Sequence, residues 1–226
     1  MGQTDLRNNV SQRTPCVLVL DHSSSMDAIT KTGRSRIEEL NAGIRAFASE
    51  LHKDEVAESR VQIAIVSVCG DQAELMLDWT DADEFEPFEL RTSGSTPLGQ
   101  GITIALDCIE EQKQILREHG IGYTRPWIFI LTDGEPTDSS GTWKQACAAA
   151  RQAESAGRVI IFPVGVADAN LSKLGEVSAN KPKALESTHF RELFVWLSAS
   201  LSTITRSKPG DEVNLPSVDG WTKIKL

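Results

Sequence analysis

Asp21, Ser23 and Ser25 belong to the stretch LVLDHSSSMD, where an apolar run stops at a carboxylate and gives way to a row of serines. Alternate residues of an extended chain point the same way, so these three side chains could offer oxygens to one point while His22 and Ser24 face elsewhere. Further on, WIFILTDGEPTD ends a second apolar run at Asp133, and SGSTPLG carries Thr96. Two carboxylates brought together repel unless a cation lies between them or one takes up a proton. Hydroxyls supply the remaining oxygens, and no His or Cys need take part. Such a donor set suits a hard cation, magnesium, manganese or calcium, better than zinc. Each residue also has a plainer use. Ser23 or Ser25 could cap a helix, Thr96 could cap one starting near Pro97, and Asp133 could simply end a strand.

The elements that must position these residues alternate along the chain. PCVLVL, at 15–20, is short, β-branched and apolar throughout, the pattern of a strand buried on both faces. SRIEELNAGIRAFASEL opens with a capping box, Ser35 and Glu38, and sets Ile37, Leu40, Ile44, Phe47 and Leu51 on one helical face. Strands at 60–68 and 73–80 are separated by a connection short enough for an antiparallel hairpin. The next helix buries Leu98, Ile102, Ala105, Ile109 and Leu116. A strand at 126–131 leads to Asp133, a helix at 143–157 closes on Gly157, and a strand at 159–166 contains Pro163, which marks a bulge or a strand end. A short helix is expected around 170–178, a weak strand at 183–185 and a last helix at 190–204. The alternation predicts an α/β fold: a doubly wound, mostly parallel central sheet with helices on both faces. Ligands of such sheets sit beyond the carboxyl ends of the strands where the strand order reverses. Asp21 and Asp133 meet if their strands are neighbours at that place.

Composition narrows the function classes. The chain has 226 residues, enough for one large domain, with 40% hydrophobic and 24% charged residues. No apolar stretch approaches the roughly 20 residues of a membrane span. The net charge of -9, without a basic run, argues against nucleic acid as the main partner. The beginning, MGQTDLRNNVSQR, lacks the apolar core of a secretory signal, and Leu6 stands where myristoylation wants Ser or Thr, so a cytoplasmic location is expected. Cys16, Cys69, Cys108 and Cys147 are far apart, show no zinc spacing and read as reduced, buried thiols. Residues 1–12 read as an extension, 13–205 as the domain and 206–226 as a tail that could dock through Trp221.

Asp21-x-Ser23-x-Ser25, with Thr96 in SGSTPLG and Asp133 in TDGEPTD, resembles the metal-ion-dependent adhesion site of von Willebrand factor type A domains. All five positions match in order, and the resemblance covers about residues 13–205. TSGSTPLG, LTDGEPTD and LFVWLSASLST further resemble the bacterial TerY-type branch associated with tellurium resistance. The resemblance implies a doubly wound fold holding one divalent cation, magnesium first and manganese or calcium as alternatives, on Asp21, Ser23, Ser25, Thr96 and Asp133. It implies a partner protein whose acidic side chain completes the ion's shell. It also implies association with a protein kinase and a metal-dependent serine/threonine phosphatase in bacterial stress responses. A non-enzymatic interaction module is expected, because the motifs of three enzyme classes do not match. Taken jointly, the five oxygen ligands favour the metal over the plainer uses. Alternation turns His22 away, which makes it structural; Glu135 and Asp138 read as outer-layer groups, rim groups or solvated loop residues.

Three enzyme readings fit less well. GSTPLGQG has the glycine spacing of a phosphate-binding loop, but Gln100 and Gly101 replace the Lys and Ser/Thr. A haloacid-dehalogenase-type phosphatase, the runner-up, needs a second Asp where Ser23 stands. No Gly-x-Ser-x-Gly elbow appears.

Overall fold

The computed structural model describes residues 11–185, 189–206 and 213–216. Six strands form one sheet: β1 (Thr14–Asp21), β2 (Val61–Cys69), β3 (Gln72–Asp81), β4 (Trp127–Thr132), β5 (Ile160–Val166) and β6 (Lys183–Leu185). Their order is β3-β2-β1-β4-β5-β6, and every neighbouring pair is parallel except the β2–β3 hairpin. The helices are α1 (Arg36–Leu51), α2 (Glu55–Arg60), α3 (Leu98–Glu118), α4 (Ser140–Ser155), α5 (Leu171–Leu174) and α6 (Phe190–Thr205). This is the doubly wound α/β fold that the alternation predicts.

The apolar run of β1 is continuous because both of its faces are covered. Cys16, Leu18 and Leu20 join the core beneath α1 and α6, whereas Val17 and Val19 join the core beneath α3 and α4. The apolar positions expected to face inward on α1 and α3 are all buried. The capping box at the start of α1 closes reciprocally: Ser35 N–H donates to Glu38 Oε2 at 2.7 Å, and Glu38 N–H donates to Ser35 Oγ at 3.3 Å. That cap fixes where α1 begins, and therefore where Arg36 points.

Several expectations shift in detail. The helix expected at 170–178 is the single turn α5. α4 starts at Ser140, capped by Ser139, and Gly157 follows its end with φ +68. α2 has only six residues, too few to show a helical period, and is signalled only by its cap, Asp54. Pro163 neither bulges β5 nor ends it: its register with β4 is unbroken, and β6 pairs only from Val164 onward. Ile160 N–H bonds toward the β4 side and Ala167 N–H toward β6, so the ring of Pro163 faces the β6 side before that strand begins. Trp221 lies outside the described residues. Nearby, Trp196 Nε1–H donates to Pro216 O at 3.0 Å, and Leu215 packs against the α1/α6 core.

α1 and α6 approach closely through Gly43, where a Cβ would lie 2.5 Å from Phe194 Cδ2 and 3.2 Å from the Phe190 carbonyl oxygen. Gly43→Ala should therefore destabilise the fold by about 1–3 kcal/mol, the usual range for overpacking a tight contact. Urea unfolding checks this, and an unchanged midpoint would show that the helices can separate freely.

Candidate metal centre

The reversal of strand order falls between β1 and β4, which pair in parallel from Cys16–Trp127 to Leu20–Leu131. The next residues on each strand, Asp21 and Thr132, are bonded through their side chains: Thr132 Oγ1–H donates to Asp21 Oδ2 at 2.5 Å. Ser23 N–H donates to the other Asp21 oxygen at 2.9 Å. Asp21 is fully buried, and burial pushes its carboxyl above the ordinary carboxylate range. The bonds from Thr132 and Ser23 act against that rise, and the nearby negative charge of Asp133 adds to it.

The serines converge by a different route from the one alternation predicts. β1 ends at Asp21, and residues Ser24–Asp27 form a 3-10 turn that brings Ser25 back to its neighbours. Ser23 Oγ and Ser25 Oγ are 3.0 Å apart, and Ser25 Oγ–H donates to Asp133 Oδ1 at 2.6 Å. His22 is structural, as expected: its ring nitrogens lie 2.7 Å from the Arg91 carbonyl oxygen and 2.7 Å from Ser67 Oγ.

Thr96 is brought in by a lacing of loops. Its N–H donates to Thr137 Oγ1 at 3.0 Å and its carbonyl accepts from Thr137 N–H at 2.9 Å. Asp138 accepts from Gly99 and Gln100 N–H, at 2.7 and 3.1 Å, so it caps α3 rather than lining the rim. Glu135 is exposed and accepts from Asn170 Nδ2. Gly94 takes φ +55 and packs on Gly70, whose Cα would stand 2.6 Å from a Cβ there. That backbone contact accounts for a glycine in SGSTPLG without invoking phosphate.

Gly134 borders the cluster. A Cβ on it would lie 3.2 Å from Thr96 Oγ1 and 3.7 Å from both Asp21 Oδ2 and Ser25 Oγ. Oxygens from two segments, the end of β1 with its following turn and the loop before α3, thus approach the bare face of Gly134, where a side chain would crowd them. The donors are all oxygen, which fits a hard cation. Among the described residues no three His, Cys, Asp or Glu side chains assemble into a metal-ligand group. Sequence reasoning missed two members of this neighbourhood: Thr132, which holds Asp21, and Arg36, whose guanidinium contacts Asp133 Oδ2 at 2.7 Å.

Burial pushes the thiols of Cys16 and Cys108 up to about 12 and that of Cys147 up to about 11, and Cys69 is half-buried. No helix among the described residues is long and apolar enough to cross a membrane.

A doubly wound sheet with an oxygen cluster at its strand-order reversal is an α/β architecture in which ligands, where bound, sit at that reversal. The chain belongs to the von Willebrand factor type A domain family, whose model matches residues 16–196. The fold is one used by protein-interaction modules. It is similar to the pilus adhesin SpaC of Lactobacillus rhamnosus GG, with TM-score 0.65 and 14% identity over 86% of this chain and 31% of that one. It is similar also to the vWF domain of the type V pilus tip protein Mfa5 of Porphyromonas gingivalis, with TM-score 0.63 and 11% identity over 89% of this chain and 99% of that one. Proximal thread matrix protein 1 of the mussel byssus gives TM-score 0.55 and 14% identity over 86% of this chain and 49% of its own length. At such identities the likeness concerns the fold alone. Comparison with curated proteins returns no match.

Proposed function

We propose that this domain is a metal-dependent protein-interaction module. Asp21, Ser23, Ser25, Thr96 and Asp133 would hold one divalent cation, magnesium foremost, with manganese and calcium as alternatives. The observation that carries this reading is the volume facing Gly134, bounded by Thr96 Oγ1, Asp21 Oδ2 and Ser25 Oγ. Two carboxylates and three neutral hydroxyls would leave the ion with residual positive charge and room for a further oxygen. An Asp or Glu of a partner protein supplies that oxygen, a contact that the chain's own net charge of -9 would otherwise oppose. Ser23, where a haloacid-dehalogenase-type phosphatase needs an acid, supports a non-enzymatic role. The resemblance of TSGSTPLG, LTDGEPTD and LFVWLSASLST to the TerY-type branch extends the proposal to a scaffold or regulator in a bacterial stress response, working in the cytoplasm beside a protein kinase and a metal-dependent phosphatase.

Thr96 supplies a ligand from a loop without filling the apolar core, so Thr96→Ala should fold normally and capture its partner at least tenfold less well. Chelator should reproduce the loss on wild type. The assay is recovery of partners on immobilised wild-type and Thr96→Ala protein, each first shown by circular dichroism to be folded. Equal recovery by both, with and without chelator, would place the binding surface elsewhere.

A further inference from the structure

Arg36 opens α1, and its guanidinium reaches the loops that carry the oxygen cluster. Nη1 donates to Asp133 Oδ2 at 2.7 Å, and Nη2 stands 3.5 Å from Asp168 Oδ2 on the loop after β5. The other Asp133 oxygen accepts from Ser25 Oγ. Exposure separates the two ion pairs: the Asp133 side chain is 0% exposed and Arg36 15%, whereas Asp168 is 98% exposed. The contact with Asp133 is therefore shielded from water, and that with Asp168 is screened by it. Asp133 already has a cationic partner before any metal is considered.

We propose that Arg36 is a tethered counter-cation that competes with the divalent ion for Asp133. Without the ion, the guanidinium neutralises one of the two carboxylates that meet at the strand ends and so stabilises the unliganded cluster. With the ion bound, Asp133 is shared between two cations separated by little more than a carboxylate group, and their repulsion lowers affinity. The site is thereby set to release its ion more readily than its five oxygen donors alone would allow. An arginine that only held Asp133 in position would do the opposite, because its loss would weaken binding. The inference rests on the cation reading given above.

Arg36→Gln keeps a hydrogen-bond donor but removes the charge. Isothermal titration with magnesium and with manganese should show Arg36→Gln binding about tenfold tighter or more, while its melting temperature in chelator falls below wild type. Arg36→Lys keeps the charge without the planar fork, and should stay within about threefold of wild type in affinity. Asp168→Asn, altering only the exposed pair, should change affinity by less than about twofold. Tighter binding by Arg36→Gln with Arg36→Lys near wild type supports competition, and so does binding by Arg36→Gln where wild type shows none. Unchanged or weaker binding by Arg36→Gln, with wild type binding, overturns the inference and leaves the cation reading standing. If no variant and no wild-type protein binds either ion, the cation reading fails and the inference fails with it.

Discussion

Alanine at position 134 should cost the protein its divalent cation while leaving the unliganded fold nearly as stable as wild type. The added methyl would enter the volume that Thr96 Oγ1, Asp21 Oδ2 and Ser25 Oγ face, at 3.2, 3.7 and 3.7 Å. An ion and a methyl cannot both occupy it. Affinity should fall by about a hundredfold or more, beyond what loss of an outer-shell partner usually causes. The backbone offers no objection, because Gly134 is not among the glycines with positive φ. Replacing glycine at a compatible position restricts the unfolded chain and stabilises by about 0.4–1 kcal/mol, which offsets the tight approach to Thr96. Melting in chelator should thus move little, while titration calorimetry should lose its signal. Wild-type affinity in Gly134→Ala would mean that the cluster is not where the ion sits.

Asp21→Asn should abolish the response to magnesium and yet match or exceed wild type in chelator. Wild type at a free ion concentration of a hundred times its dissociation constant should gain about 2.7 kcal/mol, or roughly 5–10 °C in melting temperature for a domain of this size. The variant should gain nothing. The direction in chelator follows from burial: Asp21 has its carboxyl raised chiefly by desolvation, with the charge of Asp133 adding to the rise. A group whose folded-state pKa is raised contributes stability below its unfolded pKa, and that contribution is lost as pH rises through the folded pKa. Ionising this buried carboxyl in the unliganded protein therefore carries a cost that an amide does not incur. The bonds from Ser23 N–H and Thr132 Oγ1 limit the gain, because the amide can accept only the first of them without reorienting Thr132. Superimposable melts of wild type with magnesium and with chelator would remove the basis of this expectation.

The contrast between what could and could not be foreseen follows from the range of the interactions. β1 was legible because burial on two faces writes itself as an unbroken apolar run, and α1 because a capping box and a 3.6-residue period lie within one short window. The hairpin β2–β3 followed from a connection too short for a crossover helix. The five oxygen positions were readable at strand ends and in the loops beyond them, and the structure brings Asp21, Ser23, Ser25 and Asp133 into one bonded group with Thr96 beside them. The way they converge was not readable: the 3-10 turn at Ser24–Asp27 has no period of its own, and alternation pointed to an extended segment there. Arg36 carries no local signal of its role, since its partner Asp133 is 97 residues away. Asp138 escaped for the same reason, as a cap lent by one loop to the helix of another, 39 residues before it.

One divalent cation is expected at the carboxyl ends of β1 and β4, held by oxygens alone. Anomalous diffraction at the manganese edge, from crystals grown with manganese, tests it most directly. A single peak bounded by Asp21, Ser23, Ser25, Thr96 and Asp133 is expected, absent from crystals of Gly134→Ala grown in the same way. A map with no peak at the strand ends, or with its peak on another surface of the domain, would contradict it.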